Sequence, residues 1–248
     1  MYSPLIYYTI FSYQMRFDLN IGFPLLTVKR VFFKGMVDEL LWFLSGSTNA
    51  FDLPERTQKW WTPWAKPDGD LGPIYGYQLR TCGNNLGKQN EIDQIQNVIT
   101  QIKSNPNSRR HVMTTWSPCE INLMQLAPCH GTVIQFYVAN GRLSCSMYQR
   151  SCDVFVGCPV NIACYSLLTH MIAQVCGLEV GEFIHTLGDA HLYLNHIDAS
   201  IEMVKRELRP QPTILLNKAI DNIDNFKEND IVLLRYNPHP AIKVEVAI

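Results

Sequence analysis

The residues 128-PCHGTVIQFYVANGRLSCSMYQRSCDVFVGCPVN-161 hold the clearest β-hairpin pattern in the chain, flanked by its most reactive side chains. Asn140 and Gly141 separate two segments in which apolar and polar residues alternate, and Asn-Gly is the strongest short signal for a tight hairpin turn. Ile134–Val138 and Leu143–Tyr148 are therefore predicted to pair as antiparallel strands. The hairpin would present one apolar face to a core and one polar face away from it.

The side chains around the hairpin indicate an anion-binding pocket with a candidate nucleophile. A cysteine becomes nucleophilic beside a cation or a helix end, so Cys129 could be activated by Arg150, although a lone cysteine is more often a small buried apolar residue. Arg150 with Ser151 offers a planar fork and a hydroxyl group, which suit phosphate oxygens. Asn161 either reads the edge of a pyrimidine or caps the helix predicted after Pro159.

Composition favours one domain, residues 1–248, because no linker-like segment divides the chain. Charged residues make up 17%, below the roughly 25% of a typical soluble domain, while 47% are apolar. This low surface charge predicts a large buried interface with another subunit. The 21 basic and 22 acidic residues balance, so nucleic-acid binding and attraction to an anionic membrane are not indicated.

The cysteine pattern predicts a reduced, cytoplasmic protein without a metal site. The chain has eight cysteines, yet it is longer than typical disulfide scaffolds and contains no C-x-x-C pair of the kind that binds zinc. Residues 1–11 are apolar but lack a basic segment and a cleavage site, and no run reaches the ~18 apolar residues of a membrane span.

Hydrophobic periodicity gives the remaining elements and an α+β class. Predicted strands are 5–17, His111–Trp116, Gly181–Leu187, Thr213–Asn217 and Ile231–Tyr236, and predicted helices are Val31–Leu44, Asp93–Lys103, Pro159–Gln174 and Tyr193–Lys205. Residues 50–90 are expected to be irregular but ordered by their aromatic residues, which form either a wall for a flat ligand or a satellite core.

Three charged residues have two interpretations each. On the first helix, spacing favours Glu39 as a surface carboxylate over one near the buried face. Arg109 and Arg110 precede a predicted strand, where neighbouring side chains point to opposite faces. Either one of the two arginines is simply solvated, or both lie on a loop that reaches an anion.

Ordered motifs along nearly the whole chain strongly resemble the thymidylate synthase family. They include Gln14-Met15-Arg16-Phe17, Glu39-Leu40-Leu41-Trp42-Phe43-Leu44, Gly69-Asp70-Leu71-Gly72-Pro73, Ser108-Arg109-Arg110, Leu126-Ala127-Pro128-Cys129-His130, Tyr148-Gln149-Arg150-Ser151-Cys152-Asp153, Asn161-Ile162-Ala163, Gly188-Asp189-Ala190-His191-Leu192-Tyr193 and Asn237-Pro238-His239-Pro240. The resemblance implies reductive methylation of dUMP to dTMP, with 5,10-methylenetetrahydrofolate as co-substrate, one-carbon donor and reductant, and no metal.

The resemblance also implies a set of site residues. The expected catalytic residues are Cys129, Glu39, Tyr75, His130, Asp153 and Asn161, with Cys129 adding to C6 of uracil and Glu39 relaying protons through water. The expected substrate-binding residues are Arg109, Arg110, Gln149, Arg150, Ser151, Asp153, Asn161, His191 and Tyr193. The expected folate-binding residues are Lys29, Trp61, Trp64, Asp153, Gly157, Ala247 and Ile248, the last two within a C-terminal cap that excludes water.

An obligate homodimer is implied as well. A mixed sheet flanked by helices would stack against that of a second subunit, and Arg109 and Arg110 would reach the phosphate site of the partner.

Two departures from the family pattern keep alternatives open. Met1–Leu5 occupy the place of an Arg-Thr-Gly-type phosphate loop. Either the chain is truncated or misassigned at its start, or the protein has lost its activity. In the second case it would be a relative of the family that acts by binding. Trp60 stands where a smaller aliphatic residue is common. A nucleotide hydroxymethylase is the other alternative; its cytidylate versions usually carry Asp at position 161, so Asn161 favours uracil and Trp61 favours methylation.

Overall fold

A five-stranded mixed sheet is the centre of the computed structural model, which describes residues 7–83, 87 and 91–245. The strands of this described part are β1 (Tyr7–Asp18), β2 (Val112–Met113), β3 (Val133–Ala139), β4 (Arg142–Asp153), β5 (Glu179–Tyr193), β6 (Thr213–Leu216) and β7 (Ile231–Leu234). Its helices are α1 (Phe33–Ser45), α2 (Glu55–Gln58), α3 (Tyr75–Thr81), α4 (Gln94–Ser104), α5 (Gly157–Val175) and α6 (Ile197–Lys205).

The sheet has the order β1-β5-β4-β3-β2, while β6 and β7 pair separately. Strands β4 and β5 are parallel, and the other neighbours are antiparallel. A parallel pair needs a crossover, which α5 supplies by packing across β4 and β5. The predicted hairpin is confirmed as β3 and β4, joined by Asn140 and Gly141 at φ 52° and 72°. The α+β prediction, with a mixed sheet flanked by helices, is thereby confirmed.

Helix α1 agrees with its predicted position, but the surface interpretation of Glu39 is wrong. The helix ends at Gly46, which has φ 78° and donates its N–H to the Phe43 carbonyl. Glu39 is only 8% exposed. Its neighbour Asp38 is also buried and accepts two hydrogen bonds from Arg56, at 2.7 and 2.6 Å. Segments distant in sequence cover both flanks of α1, which helical spacing alone does not reveal.

The described part of residues 50–90 is less irregular than predicted, because it includes the short helices α2 and α3, while residues 84–86 and 88–90 lie outside the described residues. Their many prolines and glycines concealed these helices, which are only four and seven residues long. Trp61 is buried in the main core, and Trp64 packs against that core. The satellite-core interpretation of these two tryptophans is therefore wrong.

Other boundaries also shift. The strand predicted at His111–Trp116 is reduced to the two residues of β2. Strand β5 runs on to Tyr193, so α6 begins later than predicted, at Ile197. Helix α5 begins at Gly157 with Val156 as its N-cap, which makes the capping interpretation of Asn161 wrong.

Large apolar side chains of the sheet are exposed on the edge strand β1 and on β3. Tyr8, Ile10 and Phe11 on β1 are 68%, 64% and 80% exposed, and Tyr137 on β3 is 64% exposed. Several large exposed apolar side chains on one strand, as on β1, are typical of a protein–protein contact. Among the described residues, no helix combines the length and apolar character that crossing a bilayer requires.

Candidate active site

Cys129 lies in the irregular segment before β3, and Tyr75, the first residue of α3, holds it in place. The Cys129 N–H donates to the Tyr75 hydroxyl at 2.9 Å, and that hydroxyl lies 3.4 Å from Sγ. Burial raises the pKa of the Cys129 thiol, while the Tyr75 hydrogen bond and the charge of Arg150 oppose the rise. The cation predicted to activate Cys129 is therefore present, but it does not outweigh desolvation in the free protein.

Arg150 joins the end of β4 to the Cys129 segment. Its backbone N–H donates to the Cys129 carbonyl at 2.8 Å, and the Ser151 N–H reaches the same oxygen at 3.4 Å. The Arg150 side chain donates to the carbonyls of Pro128 and Ala127 at 3.3 and 3.5 Å. It is exposed and lies 5.5 Å from the Trp116 ring centroid. Arg150 thus presents a positive charge at the mouth of the site.

His130 is buried in a ring stack and is neutral. Its ring lies 4.4 Å from that of Tyr75, which in turn lies 4.9 Å from Phe43. Burial lowers the pKa of His130 to about 3, and Nδ1 forms a 2.9 Å hydrogen bond with the Tyr165 hydroxyl. At Gly131, with φ 63°, a Cβ would lie 2.2 Å from that hydroxyl, so only glycine leaves room for it. His130 supports the walls of the site and supplies no cation there.

Glu39 is the buried carboxyl group next to the Tyr75 and Phe43 rings of the site. The Trp61 indole N–H donates to Oε1 at 2.8 Å, and the Trp61 ring packs against Phe43 and Tyr75. Burial raises the pKa of Glu39 to about 7, with the Trp61 hydrogen bond opposing the rise. A carboxyl group that titrates near neutral pH can both accept and release a proton under physiological conditions.

Gln149 and Asn161 form a buried amide pair behind the thiol. Gln149 donates from Nε2 to the Ser151 carbonyl at 3.0 Å and accepts from Asn161 Nδ2 at 3.2 Å. His185 on β5 contacts the same Gln149 oxygen at 2.8 Å. Strand β4 and helix α5 thus bring together side chains that are 12 positions apart in sequence.

Asp153 and Lys29 lie together where β4 leads into α5. One oxygen of Asp153, Oδ1, accepts the N–H groups of Phe155 and Val156 at 2.9 and 3.0 Å, which turns the chain into the helix at Gly157. Lys29 donates to the Phe155 carbonyl, and Nζ lies 3.6 Å from the ring centroid of Phe155. Burial lowers the pKa of Lys29 to about 8, while the charge of Asp153 opposes this change.

His191 and Tyr193 end strand β5 near Asp153. Their ring centroids are 5.1 Å apart, and His191 Nδ1 lies 3.1 Å from Oδ1 of Asp189. Position 191 pairs with Asp153 across the parallel strands, so β5 adds an imidazole and a phenol beside the aspartate. Burial raises the pKa of Tyr193, with smaller contributions from nearby Asp153 and Asp189.

Arg109 and Arg110 lie on a loop between α4 and β2, and both are exposed. The backbone holds the loop, since the Arg110 N–H donates to Ser108 Oγ at 3.1 Å and Gln135 donates to the Arg109 carbonyl at 3.4 Å. Neither guanidinium group forms an ion pair with any residue that the structure describes. Both arginines thus lie on a loop, as the second sequence interpretation requires, and its contact with an anion stays a prediction.

Met1–Leu5, Ala247 and Ile248 lie outside the described residues. The described chain ends at Glu245, whose carbonyl accepts hydrogen bonds from His196 and Asn195 at 2.9 and 3.2 Å. These contacts bring the C-terminal segment to the corner between β5 and α6. Sequence reasoning missed two residues around the site, Tyr165 and His185, which only helical spacing from Asn161 and strand alternation along β5 could have suggested.

This end of the sheet thus combines the Cys129 thiol, the exposed guanidinium group of Arg150, which can bind an anion, and the buried amides of Gln149 and Asn161. Within residues 7–83, 87 and 91–245, no cluster of His, Cys, Asp and Glu is arranged to hold a metal ion. All eight cysteines fall within the described ranges and are free thiols.

A family model described as thymidylate synthase matches residues 5–248 of the chain. The match covers the sheet, α1, α5 and every described side chain of the site. The chain therefore belongs to the thymidylate synthase family.

Proposed function

We propose that the protein is a transferase of dTMP biosynthesis that methylates dUMP reductively. The observation that carries the proposal is the grouping of Cys129, Tyr75 and Glu39, a thiol with a hydroxyl at 3.4 Å and a buried carboxyl group whose pKa is about 7. Family membership supplies the substrate class. Methylenetetrahydrofolate would supply the one-carbon unit and then the hydride.

Cys129 starts the reaction in this proposal. Its Sγ adds to C6 of uracil as the thiolate, and the electron pair moves toward C5 and O4, so that C5 becomes the nucleophile for the one-carbon unit. The Tyr75 hydroxyl accepts the Cys129 N–H, which leaves its own proton directed to Sγ, where it stabilises the thiolate.

Glu39 moves protons in the middle of the reaction. Its pKa of about 7 suits a group that passes protons through water as the folate leaves, and the buried site keeps that water from reacting elsewhere. Loss of the C5 proton would break the bond between the one-carbon unit and the folate nitrogen and leave a methylene group on C5. Hydride addition to that methylene group would complete the methyl group as the C6–S bond breaks and the Cys129 thiolate leaves.

The remaining residues bind and orient. Asn161 reads the uracil edge, His191 and Tyr193 contact the deoxyribose hydroxyl, and Arg150 with Ser151 holds the phosphate. Asp153 would bind the pterin, because its Oδ2 forms no hydrogen bond with any described residue and so remains an acceptor. Trp61, Trp64 and Lys29 would bind the rest of the folate; Trp61 lies in the core beside Glu39, and Trp64 packs against that core.

We further propose an obligate homodimer in the cytoplasm. The exposed apolar side chains on β1 and β3 supply apolar surface for a second sheet. Arg109 and Arg110, exposed and without carboxylate partners in the described chain, are available to the phosphate of the partner. Free thiols agree with a reducing compartment.

Tritium release from C5-labelled dUMP in the presence of methylenetetrahydrofolate tests the function, with identification of the nucleotide product by mass spectrometry. Release with dTMP is expected. Release with a hydroxymethyl product would favour the hydroxymethylase alternative, whereas bound dUMP without release would favour a family member that acts by binding.

A further inference from the structure

His185 is a buried residue that no step of the proposed reaction uses. It lies on β5, is fully buried, and its ring centroid is 5.5 Å from that of Phe183. One ring nitrogen, Nε2, contacts Gln149 Oε1 at 2.8 Å, whereas Nδ1 has no hydrogen-bond partner among the described residues. The thiol of Cys158 interacts with the same ring. A fully buried imidazole that contacts the side chain of Gln149, itself 1% exposed, needs a reason for being there.

The hydrogen-bond directions around Gln149 follow from a single fixed acceptor. The Ser151 carbonyl can only accept, so the Gln149 group that faces it at 3.0 Å must be the NH₂. Oε1 of Gln149 therefore faces the opposite way, toward His185 and Asn161. An amide oxygen can only accept, so His185 Nε2 must carry a proton and Asn161 must present its NH₂.

This chain of contacts fixes the orientation of Asn161. One hydrogen of Nδ2 is used by Gln149 at 3.2 Å, which leaves the second N–H and Oδ1 of Asn161 for a ligand. A flipped Asn161 would bring two amide oxygens together. Gln149 and Asn161 are 1% and 7% exposed, so water does not compensate for such a mismatch.

Amide orientation decides between two bases. Uracil offers O4 as an acceptor and N3–H as a donor, whereas cytosine offers an amino group as a donor and N3 as an acceptor. A carboxamide that is free to rotate by 180° can pair with either edge, and a fixed one pairs well with one of them.

We infer that His185 is a positioning residue that, together with the Ser151 carbonyl, fixes Gln149 and through it holds Asn161 in the orientation that accepts uracil and disfavours cytosine. The inference rests on the proposed function, because it assumes that Asn161 contacts the base. His185 acts two side chains away from the ligand.

Binding of dUMP and dCMP to the full-length protein, measured by calorimetry, tests the inference without requiring turnover. The decisive variant is His185→Phe, which keeps an aromatic ring but removes the donor. Loss of one buried hydrogen bond corresponds to a roughly five- to tenfold effect. We expect dUMP binding to weaken by about that factor while dCMP binding does not, so that the preference for dUMP falls about tenfold.

Two further variants separate positioning from general damage. His185→Gln restores a donor toward Gln149 and is expected to recover the preference to within about threefold. His170→Phe alters a half-buried histidine on α5 whose Nε2 is buried and has no hydrogen-bond partner among the described residues, and it is expected to leave the preference unchanged. Thermal unfolding of each variant confirms that it is folded.

Three results would overturn the inference. An unchanged dUMP-to-dCMP ratio in His185→Phe, or an equal loss of both nucleotides, would contradict a role in base selection while leaving the proposed function intact. Wild-type protein that binds neither nucleotide would overturn the proposed function and this inference together.

Discussion

Two sides of the site differ in whether their polar groups already contact side-chain partners within the protein or are exposed and available to a ligand. The thiol side, formed by Cys129, Glu39, Tyr75 and His130, is largely buried, and its polar groups contact neutral neighbours such as Trp61. The arginine side, formed by Arg109, Arg110 and Arg150, is exposed. Among the residues described, no carboxylate pairs with these arginines, and Arg150 contacts only carbonyl oxygens and the Trp116 ring.

The difference separates two requirements of one reaction. Reactive groups need pKa values that are set before the ligand arrives, which requires burial and fixed partners. Phosphate binding needs guanidinium donors that are still available, because an arginine already paired with a carboxylate has less to offer an anion.

Cys129→Ser should break the thiol side most severely. A serine hydroxyl in the same place lacks an accessible anionic form, so tritium release should fall at least ~10⁴-fold and no covalent adduct with dUMP should be detected by mass spectrometry. Cys119→Ser, at an exposed cysteine, is the matched control and should retain activity. Residual turnover near the wild-type rate in Cys129→Ser would exclude the thiol as the nucleophile.

Glu39→Gln should change how stability depends on pH. The pKa of Glu39 rises from 4.5 to about 7 on folding, so the folded state binds the proton more tightly than the unfolded state. The stabilisation that comes from this proton is complete below pH 4.5 and is lost as the pH rises to about 7. For a pKa shift of this size, the free energy of unfolding falls by about 3 kcal/mol over that range.

Urea unfolding at pH 5 and pH 8 measures this effect. Between these values the wild-type protein should lose more stability than Glu39→Gln, whose amide does not titrate. Equal losses in the two proteins would mean that Glu39 is ionised in the folded state throughout, contrary to its burial.

Arg150→Ala tests the arginine side. Removing one charge-assisted phosphate contact costs about 1.5–3 kcal/mol, so dUMP should bind roughly ten- to a hundredfold more weakly, with a reduced dependence on salt. Arg142→Ala, in the exposed β3–β4 turn, is the control and should bind normally. Deoxyuridine, which lacks the phosphate, should bind Arg150→Ala and wild type alike; a loss of deoxyuridine binding would instead indicate a damaged site.

Trp61→Phe should have the smallest effect, because it removes one hydrogen bond while keeping an aromatic ring. That bond lowers the pKa of Glu39, so its loss should raise this pKa by up to about one unit. The inflection of the pH–rate profile that reports Glu39 should move to higher pH by the same amount. Trp64→Phe serves as the control. A shift toward lower pH would contradict the contact between Trp61 and Glu39.

The elements that were predicted correctly from sequence are those whose local pattern of residues is enough to define them. The β3–β4 hairpin has Asn-Gly at its turn and strict alternation, and α1 has an apolar stripe with glycine after its end. The residues that were misjudged depend on distant segments. Glu39 is buried because Trp61 lies over it, and Asn161 is not a cap because α5 begins four residues earlier, at Gly157. Neither fact is encoded within a window of helical periodicity.

The neighbouring carboxyl groups of Asp38 and Glu39 also fix the rotation of α1 about its own axis. Asp38 faces the Arg56 guanidinium group, which also contacts Glu228, while Glu39, one position and about 100° further round, faces the dry Trp61 pocket. A helix shifted by one residue would place Asp38 where an ionised group is penalised and would leave Arg56 facing the wrong side chain. A single-residue insertion or deletion before position 38 within α1 would therefore lower the stability of the fold in two ways. Changes in the length of this helix should be rare, even though substitutions at its exposed positions are tolerated.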